Sequence, residues 1–294
     1  MRNRIKIGLS SIIILGLALI LGCSRPEDKG AGNVREEEQS LTVKGSDTMV
    51  HLVSAWAEGY MKANPRADVS VTGGGTGTGI AALINGTTDI CAASRSMEEK
   101  EKKLAEQKGI TPKEFAVALD GIAIVVHPAN PVNELSLEQL RKIYTGVYTN
   151  WSQVAGPDMG IIVLSRESSS GTYIFFQEHV LRKEDYAQTA RLMPATSAII
   201  QSATADQGSI GYVGIGYAAE AKDKIKIVNV KMDDKSAAVT PSEETVKSGA
   251  YPIARPLYLY TKGEPSGMSK GFIDFALSPE GQKVVRDTGY VTIK

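Results

Sequence analysis

Apolar and polar positions change rhythm along this chain in a way that divides much of it into short repeated units. "SLTVKG" (40–45) is a brief β-rich run. The donor-bearing "SDT" follows, and "MVHLVSAWAEGYMKANP" (49–65) then spaces its apolar residues as a helix does until Pro65 stops it. "ADVSVTGG" (67–74) repeats the strand, "GTGTG" (75–79) the polar loop, and "IAALING" (80–86) a helix closed by Gly86. A third unit runs through "GIIVLS" (160–165), "RESSSGT" (166–172) and "YIFFQEHVL" (173–181). Each unit predicts a strand, a loop of hydroxyls and glycines, and a helix.

Two further apolar β runs, "LDGIAIVVHP" (119–128) and "ARPLYLYTKG" (254–263), lie near the middle and the end. They read as crossover strands joining two lobes of an α/β protein. The first lobe then holds 41–119 and 256–294, and the second holds 120–255 with the hinge strands. A helix is expected over 136–144. The stripe Phe272, Ile273, Phe275, Ala276 and Leu277 predicts a tail helix packed on the first lobe. Tyr148 and Trp151 are read as packing residues.

The loops carry the chemistry. A helix start has four N–H groups without intrahelical partners and the positive end of the macrodipole, so it attracts an anion. Ser and Thr there cap the helix and add hydroxyl donors, while Gly lets a ligand approach the backbone. Each loop alone has a plain reading: "SDT" as a cap, "GGGTGTG" as a tight turn, "ESSSGT" as a solvated loop. The glycine loop also lacks the lysine of a nucleotide-binding P-loop. Three such loops at carboxyl ends of strands instead predict one cage of uncharged donors around a compact oxyanion. Ser46, Thr48, Ser169, Ser170 and Thr172 are its candidate donors from the residues themselves, with Asp47 inside the first loop. The Arg166 guanidinium, always charged and forked, suits two oxygens of a tetrahedral anion, with Glu167 or another carboxylate holding it. Arg95 either lines the cleft or faces water.

The N-terminus says where the molecule works. "MRNRIK" carries three positive charges and leads into sixteen largely apolar residues ending at Gly22. That reads as an export signal over 1–22. "ILGC" resembles a bacterial lipobox, which implies cleavage before Cys23 and lipid on that cysteine; an uncleaved signal anchor is the alternative. The polar stretch that follows reads as a tether over 23–40. The chain has 33 basic and 33 acidic residues, and without Arg2, Arg4 and Lys6 about three negative charges remain. No basic surplus points to nucleic acid. Cys91 is left without a disulfide partner and reads as a buried small hydrophobe, and His51, His127 and His179 are scattered. No metal site, cofactor or Cys/His catalysis is expected.

Taken in order, "GSDT" (45–48), "GGGTGTGI" (73–80), "TDICAASRSM" (88–97) and "RESSSGT" (166–172) resemble the phosphate-binding lipoproteins of bacterial high-affinity phosphate ABC transporters. "WSQV" (151–154) and "SPEGQKVVRDTGYV" (278–291) extend the likeness over roughly 40–294. The resemblance implies a two-lobe, type II periplasmic-binding-protein fold with a ligand cleft between the lobes. Position by position it implies Ser46, Thr48 and the backbone of Met49 in the first loop. Thr76, with Gly77 and Thr78, falls in the second, and Arg166, Ser170, Gly171 and Thr172 in the third. Some members place an aspartate where this chain has Ser94. That carboxylate would accept the proton of phosphate and repel sulfate, so here Asp47 or Asp120, or the weaker acceptor Ser94, must serve.

The function so implied is extracytoplasmic capture of inorganic phosphate by a lipid-anchored monomer. Its partner is an ABC permease with its ATPase, and it works in the periplasm or at the cell surface. The alternatives are a receptor for sulfate, molybdate or a phosphonate, a signalling or adhesive lipoprotein, and an enzyme acting on phosphate esters. Against the enzyme, no metal cluster, Cys/His pair or lysine-bearing phosphate loop is visible.

Overall fold

The computed structural model describes residues 39–293. The expected signal over 1–22, the lipidation site Cys23 and most of the tether lie outside the described residues. The described residues form one compact unit. In chain order its first half comprises β1 (Gln39–Gly45), α1 (Val50–Ala63), β2 (Ala67–Thr72), α2 (Thr76–Asn85), β3 (Ile90–Ala93), α3 (Glu99–Gln107), β4 (Lys113–Val126), β5 (Glu134–Ser136) and α4 (Leu137–Tyr144). The second half comprises β6 (Ile162–Arg166), α5 (Gly171–His179), β7 (Arg191–Met193), α6 (Thr196–Ala205), β8 (Ser209–Gly214), α7 (Ile215–Glu220), β9 (Lys226–Lys231), α8 (Glu243–Lys247), β10 (Ala254–Thr261), α9 (Gly267–Leu277) and α10 (Pro279–Asp287).

The strands form one mixed sheet in the order β2-β1-β3-β10-β4-β8-β6-β7, with β9 also pairing β4 and β5 pairing β9. β1 runs parallel to β2 and β3, and β6 runs parallel to β7 and β8. β4 joins these two groups. Its residues up to Gly121 pair antiparallel with β10, and from Ile122 onward it pairs with β8 on one side and β9 on the other. Residues 120–126 are buried without a break, as expected of a strand covered on both faces.

Local chemistry accounts for the element ends. Gly86, in the left-handed region at φ 76°, closes α2. Ser136 caps α4 by accepting the Gln139 amide at 3.2 Å, and Gln139 returns a bond to the Ser136 amide. The tail helix breaks at Ser278-Pro279 into α9 and α10, since Pro279 has no N–H to continue the ladder. Phe272, Ile273 and Ala276 are buried in the main core, with Phe275 and Leu277 packed against it. Trp151 is fully buried and donates to the Gly208 carbonyl at 3.0 Å, and Tyr148 lies under Lys142. The packing readings of the tail stripe and of both aromatics thus hold.

Candidate functional site

Three element starts meet where β1, β2 and β6 end. β1 delivers Ser46 and Thr48 on a 3-10 turn over Asp47–Met49, β2 leads through Gly73–Gly75 to Thr76, and β6 leads to the Ser170 cap of α5. All four polar residues are buried: Ser46 2%, Thr48 2%, Thr76 0% and Ser170 3% exposed. The Thr48 and Thr172 hydroxyls lie 2.8 Å apart. Thr76 Oγ1 accepts the Ser94 amide at 3.0 Å and lies 3.3 Å from Ser94 Oγ.

Gly171 shows how close the parts come. A Cβ there would sit 2.4 Å from Thr76 Oγ1 and 2.7 Å from Ser94 Oγ, so α5 could not start against these hydroxyls with any larger residue. Gly75, at φ 103°, plays the same part for the second loop: its Cβ would meet the Ser169 carbonyl at 2.5 Å. The structure therefore brings Thr48, Thr76, Ser94, Ser170, Gly171 and Thr172 together, with Ser46 buried at the start of the first loop.

The other expected residues have different duties. Thr78 turns its hydroxyl back to the Gly75 carbonyl at 2.8 Å, and Ser169 accepts the Gly77 amide at 3.0 Å through its own carbonyl. The Met49 amide goes to Ser46 O at 3.0 Å, and its side chain is in the core. The backbone donor expected at Met49 thus already has a protein acceptor, as does the Gly77 amide. Ser170 Oγ caps α5, accepting from Thr172 at 3.2 Å and Tyr173 at 3.4 Å, which leaves its own proton to donate.

Arginines surround these hydroxyls, and each has a carboxylate. Arg166 donates from Nε to Met193 O at 3.2 Å, from Nη2 to Pro194 O at 3.0 Å and from Nη1 to Thr196 Oγ1 at 2.8 Å. Its counter-ion is Asp47, 3.3 Å away, rather than the exposed Glu167. Asp47 Oδ2 also accepts the Thr196 amide at 2.7 Å, so it fixes the start of α6. These contacts brace β6 against α6. Arg95 is bidentate on Glu101, both contacts 2.8 Å, and only 7% exposed. Burial works against its charge, and the Glu101 hydrogen bonds and charge outweigh that effect and raise its pKa.

The third arginine was not expected from sequence. Arg255 on β10 stands in register opposite Asp120 on β4, with Nη2 3.0 Å from Asp120 Oδ2 and 2.8 Å from Thr172 Oγ1. Burial pushes the Asp120 carboxyl up, and the Arg255 charge opposes that push. Asp120 Oδ1 accepts the Ile215 amide at 3.0 Å. The available signal was a lone arginine inside an apolar strand run facing a lone aspartate inside another.

A sequence model described as the PBP superfamily domain matches residues 26–280. The phosphate-binding protein PstS of Staphylococcus epidermidis is 37% identical over 284 residues, spanning 95% of this chain and 86% of that protein. This chain belongs to the PstS family of the PBP superfamily. Among solved PstS-like structures, one from Clostridium perfringens, described as a phosphate ABC transporter substrate-binding protein with bound phosphate, superposes with a TM-score of 0.79 at 32% identity. It covers 87% of this chain and all of that one (100%). An ABC-type phosphate transport receptor from Vibrio cholerae gives a TM-score of 0.68 at 30% identity over 86% of this chain and 100% of its own. The α/β periplasmic-binding-protein fold expected from sequence is the fold observed. Among the described residues no cluster of His, Cys, Asp or Glu is placed to hold a metal ion, and no helix is long and apolar enough to cross a membrane.

Proposed function

We propose that this chain is the extracytoplasmic receptor of a phosphate ABC transporter, closing a two-lobed cleft on one inorganic phosphate and delivering it to the permease and its ATPase. The observation that carries the reading is the convergence of hydroxyls from three helix starts, with Thr48 and Thr172 in contact across the molecule. Helix starts offer partial positive charge that draws an anion toward these hydroxyls. Ser46, Thr48, Thr76, Ser170 and Thr172 are the proposed donors, with the charge of Arg166 nearby offset by Asp47.

Phosphate at neutral pH also needs an acceptor for its proton. A hydroxyl both donates and accepts, and Ser94, beside Thr76, fills that role in this reading. The hinge is proposed at the partner change in β4 beside Gly121, with lobes over 41–119 with 256–294 and over 120–255. The protein acts as a monomer tethered through lipid on Cys23.

Equilibrium dialysis of the phosphate-stripped chain against radiolabelled phosphate tests this, with sulfate, molybdate and methylphosphonate as competitors. Saturable binding of one phosphate that only unlabelled phosphate displaces efficiently supports the reading. Equal displacement by sulfate assigns the site to a broader oxyanion class, and absence of binding rejects it.

A further inference from the structure

The geometry points to Arg255 as a direct ligand of the captured anion, taking one of its oxygens on Nη1, with Asp120 as the residue that positions it. This rests on the receptor reading above and adds to the cage a cation that the hydroxyl loops do not supply. Arg255 is 3% exposed. Its Nε and Nη2 face Asp120 Oδ2 at 3.3 and 3.0 Å, and Nη2 also reaches Thr172 Oγ1 at 2.8 Å. Nη1 is buried and has no hydrogen-bond partner. A guanidinium is planar, so Nη1 lies beside Nη2 and next to the hydroxyl that opens α5. An unpaired charged donor in the interior carries a larger desolvation cost than a neutral one. An anion oxygen at Nη1 removes that cost.

The other two arginines differ. All three nitrogens of Arg166 have protein acceptors. Arg95 also has an unpartnered Nε, but its guanidinium is committed to Glu101 and the Ser96 carbonyl and makes no bond to the hydroxyls of the cage.

The same contacts reassign Asp120. One carboxylate oxygen takes the Ile215 amide and the other takes Arg255, so both oxygens of Asp120 are engaged inside the protein. Its work is to hold the guanidinium flat against the loop at Thr172. Proton acceptance stays with Ser94, as in the receptor reading, and discrimination against sulfate does not depend on Asp120.

Calorimetric titration of Arg255→Lys and Asp120→Asn tests both halves, with unfolding midpoints measured in the absence of ligand. Lysine keeps the charge and loses the second terminal nitrogen. Folded Arg255→Lys should bind phosphate at least about thirtyfold more weakly. In Asp120→Asn, affinities for phosphate and sulfate should fall together with their ratio kept. Native affinity in folded Arg255→Lys, or a ratio shifted toward sulfate in Asp120→Asn, overturns the assignment. Where a variant does not fold, a crystal of the native chain with phosphate decides. An oxygen within about 3.2 Å of Nη1 supports the claim, and phosphate in the cage without that contact overturns it. A native chain that takes no phosphate rejects the receptor reading first, so the two failures are distinct.

Discussion

The hydroxyls of Thr48 and Thr172 touch at 2.8 Å although 124 positions separate them in the chain. Thr48 follows β1 and Thr172 opens α5, so the contact joins loops from the two ends of the sheet. Thr172 also receives Arg255, which makes its oxygen the point where the loops meet the strand pair β4 and β10.

Replacing Thr172 with Val keeps the shape and removes that oxygen. Thr48 loses a partner, and Arg255 keeps only Asp120. A hydrogen bond to a charged group contributes about 1.5–3 kcal/mol, so phosphate affinity should fall by roughly tenfold or more. Isothermal titration measures it, and an unchanged dissociation constant would remove Thr172 from the site.

Gly171→Ala tests the closeness of the loops rather than their donors. The new Cβ would press on Thr76 Oγ1 and Ser94 Oγ. Overpacking of this kind costs about 1–3 kcal/mol. Phosphate binding should weaken at least severalfold, whereas Gly160→Ala, with nothing within 4 Å of its Cβ, should bind as the native chain does. Equal behaviour of the two variants would show that the α5 start is not pressed against Thr76.

Much of this site was legible because it is local. Capping hydroxyls, a glycine at a left-handed turn and a strand just before them occur within a few residues of one another, and the strand, loop and helix rhythm announces them. The direction of each hydroxyl was not legible. Thr78 and Thr76 are two residues apart on one helix start, yet one bonds back to Gly75 and the other faces Ser94. The arginines were harder still, since their roles depend on pairing between distant strands. Arg255 meets Asp120 only because β10 folds back on β4, and Arg166 turns to Asp47 and the start of α6. α3 was not anticipated, although Glu101 reaching back to the Glu98 amide at 2.8 Å is an ordinary helix-start device.

Cys91 offers a probe of opening. It lies on β3 against α2, fully buried, and burial, aided by the Glu101 charge, pushes its thiol well above the ordinary range. In a chain with Cys23 replaced by Ser, a disulfide reagent at pH 8 should leave the native protein unmodified and react fully in guanidinium. Rapid reaction of the native chain would mean that β3 and α2 separate readily.

Cys23→Ala tests the anchor. The native chain should incorporate labelled fatty acid and begin at residue 23, whereas the variant should lose the label and keep its signal, with phosphate affinity unchanged. A native chain that carries no label and keeps its signal would favour an uncleaved anchor.

The account stands most directly on a crystal structure of the native chain with phosphate. It predicts a single ion within hydrogen-bond distance of the hydroxyls of Thr48, Thr76 and Ser170 at once. Phosphate bound elsewhere, or touching only one of those loops, would contradict it.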